Sequence, residues 1–356
     1  MAENENTARV LVVGCGGIGG IVAANMVEMG VDVTCVTGNP AIAEAINTRG
    51  FKVHEEGAAR TVQGAHAHAK LPDGAGPFDF ILLATQPTEV ESAATAAAPS
   101  LKPDGRMVCF QNGLCEWRVA RIVGADRTVG GIVAWGASMV EPGVYDRTAA
   151  GGFVLGMLDG RVDPRLEELG RYLEAVGPVQ VSHNLQGARW SKLAINCAIS
   201  ALGTLGGDTL GSLMTHRFIR RLCLELMTEV VAVARAEGVR LEKVSGTLDL
   251  EWIALTESER TIPGSPNLFA KHGLLLAVGA RYRRMRSSML RAIERGRPPA
   301  VDFLNGEVVE RAKAHRIPVP VNAAAVEHIH QLARKELQPS LDLAKRFFES
   351  TAHVRG

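Results

Sequence analysis

Three polar residues recur at helical spacing inside an otherwise apolar stretch. Lys192, Asn196 and Ser200 lie four residues apart within residues 190–200, so a helix would place them on one face. Burying an ammonium group among apolar side chains costs several kcal/mol unless the group has a partner. One interpretation is a lysine whose pKa desolvation lowers towards neutrality and which acts as a general acid or base. The alternative is a lysine whose stem lies along the helix while its ammonium reaches solvent.

A glycine-rich turn follows a short apolar run near the N-terminus. Residues 9–13 predict a strand and residues 18–29 a helix, and between them Gly14, Gly16 and Gly19 have the spacing GxGxxG. In a βαβ unit the first glycine allows a tight turn, the second lets a pyrophosphate approach the backbone, and the third lets helix and strand pack closely. The helix N-terminus offers N–H groups and a positive dipole to phosphates. We therefore predict a dinucleotide site that includes Gly14, Cys15, Gly16, Gly17, Ile18 and Gly19.

The end of the second predicted strand, residues 31–36, does not decide between NAD and NADP. An acidic residue about 20 positions after the turn would favour the free ribose of NAD, and an arginine the phosphate of NADP. Here Thr37, Gly38 and Asn39 follow the strand, and their hydroxyl and amide groups could serve either form. Asp32 stands at the beginning of the strand, which is too early to reach a ribose.

The order of predicted elements indicates an α/β domain followed by an all-α domain. Strands and helices alternate through the first half, as is typical of βαβ units with a mostly parallel sheet. Further strands are predicted at residues 78–84 and 107–110, two more within residues 126–145 and a last one at residues 179–182, and further helices at residues 41–47 and 89–98. Later in the chain, long helical patterns cover residues 185–200, 217–237 and 320–337. We expect a Rossmann-type dinucleotide-binding domain over residues 1–183 and a helical substrate domain over residues 184–356.

Composition argues against several classes of function. The 356 residues carry 39 basic and 38 acidic side chains, and this balance gives no support for binding to nucleic acid or to a membrane surface. No apolar run reaches the 18 residues of a membrane span, and the polar N-terminus is unlike a signal peptide. The six cysteines show no pairing rhythm, and two His-x-His pairs, at residues 66–68 and 328–330, lack further ligands. We expect a cytoplasmic protein without a metal that acts on a small molecule.

Further polar motifs follow in a definite order. Gln111-Asn112-Gly113 comes after a predicted strand, Ser287-Ser288-Met289-Leu290 lies near a basic stretch, and residues 296–306 read GRPPAVDFLNG. Together with the glycine turn and the pattern WxKLxxN around Lys192, this order resembles the ketopantoate reductase (2-dehydropantoate 2-reductase) family over residues 10–322. The resemblance implies a helical C-terminal domain arranged like that of 6-phosphogluconate dehydrogenase, and reduction of a 2-oxo acid with NADPH.

The same resemblance implies individual roles. Lys192 would be the general acid that protonates the carbonyl oxygen as hydride arrives, Asn112 and Asn196 would assist it, and Ser288 would hold the substrate carboxylate. Ser200 and Asp302 are further candidates for substrate contact. Gln86 and Asn112 join Thr37, Gly38 and Asn39 as candidates for cofactor contact.

The chain departs from the family pattern at several of these positions. Ser200 replaces a second asparagine of the lysine helix, Pro299-Ala300 replaces a usual Thr-Glu pair, and Gly38 replaces an arginine that grips the NADP phosphate. Gln86 stands where a lysine often occurs. Since a lost carboxylate changes which substrate hydroxyl can be bonded, we expect 2-oxo acid chemistry with a substrate other than ketopantoate. The resemblance favours NADP(H), while Gly38 leaves NAD(H) open.

Several alternatives stay open. The chain could be an NAD-preferring dehydrogenase of a bulkier hydroxy or oxo substrate, or a non-catalytic dinucleotide-binding sensor. The arginine-rich residues 281–297 could be a solvated helix face, a subunit contact or a surface that recognises an acidic substrate. Residues 250–272 look like an insertion that could form a lid or a dimer contact, and a homodimer is compatible with the sequence.

Overall fold

A computed structural model describes residues 7–244, 248–261 and 264–352. The polar N-terminal segment 1–6, two residues of the predicted insertion (262–263) and residues 245–247 and 353–356 lie outside the described part. The chain divides into two compact units. The sheet unit comprises the described residues of Met1–Gln111 and Cys115–Leu185, and the helical unit those of Asn112–Leu114 and Gln186–Gly356.

The sheet unit contains strands and helices that largely alternate. Its described strands are β1 (Arg9–Val13), β2 (Asp32–Val36), β3 (Phe51–Glu55), β4 (Ala58–Val62), β5 (His66–His68), β6 (Phe78–Leu83), β7 (Leu101–Cys109), β8 (Thr128–Val133), β9 (Gly136–Glu141), β10 (Val144–Ala149), β11 (Phe153–Met157) and β12 (Val179–Val181). Its described helices are α1 (Gly17–Glu28), α2 (Pro40–Arg49), α3 (Val90–Ala97), α4 (Glu116–Val123) and α5 (Pro164–Leu173).

The larger sheet has the strand order β12-β11-β8-β7-β6-β1-β2-β5. In this order, all neighbouring strands between β8 and β5 pair in parallel. Strand β11 is antiparallel to β8. All six residues of β6 are buried, as expected for a strand covered on both faces. Chain order reverses on the two sides of β1, and in such sheets ligands bind beyond the carboxyl ends of the strands at this point. The predicted Rossmann-type fold is confirmed.

A second, four-stranded sheet was not predicted. Its order is β4-β3-β10-β9, with β3 parallel to β10 and the two hairpins antiparallel. Its strands β9 and β10 pack on α1 so closely that a Cβ on Gly17 would lie 2.8 Å from the Ala137 carbonyl carbon. A Cβ on Gly20 would lie 2.1 Å from the Tyr145 ring. The helix therefore needs glycine on this face for packing.

The helical unit contains the remaining described helices. They are α6 (Leu185–Gly206), α7 (Leu210–Met214), α8 (Arg217–Ala236), α9 (Leu250–Ile253), α10 (Glu257–Thr261), α11 (Pro266–Arg281), α12 (Ser288–Glu294), α13 (Asn305–His315), α14 (Pro320–Ala333) and α15 (Leu341–Ser350). The predicted all-α character of this part is confirmed. The predicted insertion forms α9, α10 and the beginning of α11 within its described residues. In the described part of the chain, no helix is long and apolar enough to cross a membrane.

Three predicted boundaries were wrong. The helix predicted over residues 185–200 continues to Gly206. The helical pattern predicted to reach residue 337 ends at Ala333, because Lys335 adopts a left-handed φ of 63° and the N–H of Glu336 turns back to bond the Gln331 carbonyl. The strand predicted from residue 107 begins at Leu101, so its first half, which contains a proline and charged side chains, was missed.

Candidate active site

The glycine turn joins β1 to α1 at the carboxyl end of the parallel sheet. Gly14 has a φ of 98°, and a Cβ there would lie 2.8 Å from the carbonyl carbon of Ala84, so only glycine fits. A Cβ on Gly19 would lie 1.9 Å from the Gly14 carbonyl oxygen. These two glycines hold the turn against the helix and against the end of β6.

Gly16 differs from the other two glycines. A Cβ built on it meets no described atom within 4 Å, so the space above this residue is open. Gly16 is also the N-cap of α1, and among the described residues no side chain caps this helix end. The open space and the N–H groups of the first turn together fit the pyrophosphate of a dinucleotide.

The other residues of the turn offer main-chain groups. The Cys15 side chain is buried, and its carbonyl accepts a hydrogen bond from the Tyr145 hydroxyl at 3.2 Å. The hydrogen bond to Cys15 and burial raise the pKa of the Cys35 thiol well above its usual value. Gly17 packs on β9, and Ile18 packs against the apolar core. We propose that contact with a cofactor here is made by the backbone.

The three residues after β2 differ in how accessible they are to a cofactor. Gly38 is exposed, and a Cβ there meets no described atom within 4 Å. The Asn39 side chain accepts a hydrogen bond from the Ala41 N–H at 3.0 Å and caps α2. Thr37 is buried, and Asp32 at the far end of β2 pairs with Arg9.

Gln86 lies three residues after β6, the strand next to β1, and its side chain is exposed. It immediately precedes a short 3-10 turn, residues 87–89. Because β6 borders the glycine turn, Gln86 stands on the same sheet edge as the proposed cofactor site.

In the helical unit, one face of α6 carries the predicted polar residues. Lys192, Asn196 and Ser200 are each half-buried, whereas Leu193 and Cys197 between them are in the apolar core. The 3.6-residue repeat therefore separates a polar face from a buried one. Asn196 has a buried Nδ2 that lacks a hydrogen-bond partner within the described residues. Such a donor is suited to a ligand, because a buried polar group without a partner is costly.

The serine motif packs directly on this helix. Ser287 caps α12, and its hydroxyl also bonds the Ser200 carbonyl at 3.1 Å and the Thr204 hydroxyl at 2.9 Å. A Cβ on Gly203 would lie 3.0 Å from the Ser287 Cβ, so the two segments approach closely. Ser288, the next residue, is exposed. The structure thus links the Ser288 segment to the same helix as Lys192.

The Asn112–Leu114 segment groups with the helical unit, although it follows β7 in sequence. Gly113 has a φ of 93°, and a Cβ there would lie 2.4 Å from the Phe303 carbonyl oxygen. Leu114 belongs to the apolar core of the helical unit. The glycine is required by this close approach, and it places Asn112 beside the turn that contains residues 300–303.

The pair that replaces Thr-Glu offers no carboxylate, and Pro299 is buried whereas Ala300 is half-buried. Ala300 begins a 3-10 turn, and the next acidic residue, Asp302, bonds the His330 Nε2 at 2.8 Å. His328, the other member of that His-x-His pair, bonds the Ala324 carbonyl at 2.8 Å. Asp302 was predicted as a substrate contact, and the structure shows its carboxylate engaged with His330.

A buried polar network that the sequence did not predict contacts the buried side of α6. The Asn305 Nδ2 donates to the Cys197 carbonyl of α6 at 3.1 Å and to the Asn322 Oδ1 at 2.9 Å. The Glu229 carboxylate accepts hydrogen bonds from the N–H of Val321, the N–H of Asn322 and the Asn322 side chain, at 2.9, 2.8 and 2.7 Å. Glu229 thus caps the N-terminus of α14 from α8, about 90 residues away in sequence, so no local signal could have revealed it.

Glu229 should make stability depend on pH. Burial raises its pKa to about 7 despite the three hydrogen bonds, so between pH 4.5 and 7 the folded state holds the proton more tightly than the unfolded chain. The resulting stabilisation is complete below the unfolded value and is lost as the pH rises through 7. The free energy of unfolding can be measured by urea denaturation for the wild type and for Glu229→Gln. We expect the difference between the two proteins, wild type minus variant, to fall on the order of 3 kcal/mol from pH 4 to pH 8. Parallel pH profiles for the two proteins would contradict this.

The chain matches two family models that together span most of its length. The model described as "Ketopantoate reductase PanE/ApbA" matches residues 10–160, and the model of its C-terminal domain matches residues 184–333. The chain belongs to the ketopantoate reductase family. Members of this family are oxidoreductases that interconvert a carbonyl and a hydroxyl group with a nicotinamide dinucleotide, and this class of enzyme is thereby assigned.

Curated relatives of the family are distant but nearly full-length matches. A 2-dehydropantoate 2-reductase of Pyrococcus horikoshii is 26% identical over 88% of this chain and 94% of its own length. One from Halobacterium salinarum is 28% identical over 88% of this chain and 95% of its own length.

Solved structures share the fold at low identity. A PanE/ApbA family ketopantoate reductase from Ralstonia eutropha is 24% identical, with a TM-score of 0.76 over 92% of this chain and 99% of the other. D-mandelate dehydrogenase, solved with NADH and anilino(oxo)acetate, is 16% identical, with a TM-score of 0.77 over 92% and 99%. The fold therefore serves more than one substrate within known proteins.

Proposed function

We propose that the chain reduces a 2-oxo acid to the 2-hydroxy acid, with Lys192 as the general acid. The observation that carries this proposal is the half-buried polar face of α6, where Lys192 and Asn196, whose buried Nδ2 has no partner among the described residues, lie one helical turn apart. Addition of hydride to a ketone leaves negative charge on the oxygen. A positioned ammonium both stabilises that charge and delivers the proton, and the Asn196 amide can donate to the same oxygen or to the carboxylate.

The sheet unit would hold the cofactor through its backbone. When bound, a reduced nicotinamide supplies the hydride. The N–H groups at the beginning of α1 would bind the pyrophosphate over Gly16, and Gln86 would contribute from the neighbouring strand end. In the helical unit, Asn112 and Ser288 would orient the substrate by hydrogen bonds from amide and hydroxyl groups.

Two positions support a substrate bulkier than ketopantoate. Ala300 occupies the place of the usual glutamate, which removes an acceptor and a larger side chain, and we infer that Asp302, whose Oδ1 bonds the His330 Nε2, does not replace that acceptor. A site without this acceptor no longer prefers a substrate with a hydroxyl group at that place over one without it. The shared fold of D-mandelate dehydrogenase, solved with anilino(oxo)acetate, is compatible with this inference.

The cofactor preference follows from the residues after β2. Gly38 has no side chain to grip a 2′-phosphate, Asn39 is occupied as a helix cap, and Thr37 is buried. The selectivity for NADPH that an arginine would supply is therefore missing. We propose that NADH supports turnover at least as well as NADPH.

The decisive experiment follows nicotinamide absorbance for a panel of 2-oxo acids with each reduced cofactor. We expect kcat/KM to be higher for an aromatic or larger aliphatic oxo acid than for ketopantoate. We also expect kcat/KM with NADH to be at least as high as kcat/KM with NADPH. A preference for ketopantoate of about tenfold or more would overturn the inference about the substrate. An equally large preference for NADPH would overturn the inference about the cofactor, and no turnover with any oxo acid would overturn the proposed function.

A further inference from the structure

A small cavity in the helical unit lies apart from the residues considered so far. It has a volume of about 120 Å³, and we call it the Arg-His cavity. It is lined by Arg217, Arg220, Gly264, Leu268, Phe269 and His272. These residues come from the first turn of α8, from the beginning of α11 and from the loop before α11. None of them belongs to the proposed catalytic or cofactor-binding set.

The cavity contains a buried imidazole. His272 is only 9% exposed, and within the described residues its buried Nδ1 has no hydrogen-bond partner. In the part of the chain that the structure describes, the buried Nε of Arg220 also lacks a partner, although its Nη1 bonds the Thr215 carbonyl at 2.8 Å. Unsatisfied buried polar groups are uncommon in folded proteins and point to a ligand or a solvent molecule.

The electrostatic environment of the cavity is positive. In the described part of the chain, neither Arg217 nor Arg220 forms an ion pair. Carboxylates on neighbouring elements are already paired, Glu225 with Arg221 and Arg260, and Glu259 with Lys271. Arg217 and Arg220 also lie in the first turn of a 20-residue helix, where the helix dipole adds positive potential.

The pKa of His272 reflects this environment. Burial first, and then the charges of Arg220, Arg217 and Arg221, lower it to about 4. The ring is therefore neutral at pH 7 and can either donate or accept a hydrogen bond. An anion bound between the arginines would oppose their effect and raise this pKa.

The remaining walls of the cavity are apolar. Leu268 is buried, and Phe269, at 64% exposure, stands at the opening. A cavity of about 150 Å³ holds benzene, so about 120 Å³ has room for a carboxylate and a few carbon atoms, and a larger apolar body would extend past Phe269 at the opening. The size and the lining together suit a small acid with a compact apolar body.

We propose that the Arg-His cavity binds the carboxylate of a small organic acid. Arg217 and Arg220 face the anion and His272 shares a hydrogen bond with it. Leu268 and Phe269 contact the apolar body of the acid. This site is separate from the proposed active site and does not depend on the proposed reaction.

Benzoate is the probe, and its neutral analogue benzyl alcohol is the control ligand. Titration of ¹⁵N-labelled protein with benzoate should shift the side-chain resonances of His272, assigned by their loss in His272→Gln, and should raise the pKa of this residue. Benzyl alcohol should bind at least about tenfold more weakly, because it lacks the charge that the arginines attract. The response should persist in Lys192→Ala, which separates this cavity from the proposed catalytic lysine.

Arg217→Gln is the principal variant. Arg220 is less suitable because it also donates hydrogen bonds to main-chain carbonyls, which a substitution would leave without this donor. We expect this variant to weaken benzoate binding about tenfold. Arg235→Gln, a change to an exposed and paired arginine on the same helix, should leave the affinity unchanged. Equal binding of benzoate and benzyl alcohol, equal affinity in Arg217→Gln, or a His272 resonance that does not respond would each overturn the proposal. Thermal unfolding of each variant confirms that it is folded.

Discussion

Lys192→Ala is expected to lower kcat by about 10²- to 10⁴-fold, the usual contribution of a positioned general acid. The substitution removes both the proton donor and the positive charge that stabilises the developing alkoxide. Affinity for the dinucleotide should stay within about twofold of the wild type, because the proposed cofactor contacts all lie at the glycine turn and the neighbouring strand ends. The measurement is steady-state turnover of the best oxo acid, together with a fluorescence titration of the reduced cofactor.

Two comparisons sharpen this test. Lys313→Ala removes an exposed lysine of the same unit, one that pairs with Glu310 on the surface, and should leave turnover unchanged. Lys192→Arg keeps the charge but donates a proton poorly, so it should retain substrate affinity while kcat stays low. Near-normal turnover in Lys192→Ala would exclude this lysine as the acid.

Gly16→Ala and Gly19→Ala should have opposite signatures, although both change a glycine of the same turn to alanine. The methyl group of Gly16→Ala enters open space, so the fold should survive. Since that space fits a pyrophosphate, the methyl group should raise the dissociation constant of the dinucleotide by roughly ten- to a hundredfold. Gly19→Ala would press its Cβ against the Gly14 carbonyl oxygen at 1.9 Å and should destabilise the protein by about 1–3 kcal/mol or more.

Thermal unfolding and cofactor titration, measured on both variants, distinguish the two outcomes. We expect Gly16→Ala to keep the melting temperature of the wild type and to lose affinity for the dinucleotide. We expect Gly19→Ala to have a lower melting temperature than the wild type. Wild-type affinity in Gly16→Ala would mean that the phosphates do not pass over this residue.

The sequence predicted the parts of the fold that depend on short-range patterns. The turn between β1 and α1 was recognisable because its three glycines, the preceding apolar run and the following helix all lie within about 20 residues. The polar face of α6 was recognisable because Lys192, Asn196 and Ser200 recur with the helical period. The order of motifs along the chain was sufficient to suggest the family, which the family models confirm.

The second sheet could not be predicted from local patterns in the sequence. Four of the five residues of β4 are at least partly exposed, and β3 finds its parallel partner β10 about 90 residues later in the chain. β4 has neither an apolar run nor a regular alternation to mark it, and the alternation of β3 is limited to Phe51, Lys52 and Val53. Their pairing depends on contacts that exist only after the chain has folded.

Local spacing by itself determined the glycine turn and the polar helix face, because a periodic pattern dictates which side chains share one face of an element. Only the tertiary structure decided how open each glycine is, and that Glu229 caps a helix from another element. It also decided that Asp302 is bonded to His330, and that Arg217, Arg220 and His272 surround one cavity. The physical reason is that accessible space, hydrogen-bond partners and electrostatic potential at a residue are set by neighbours far away in the chain, which no single stretch of sequence specifies.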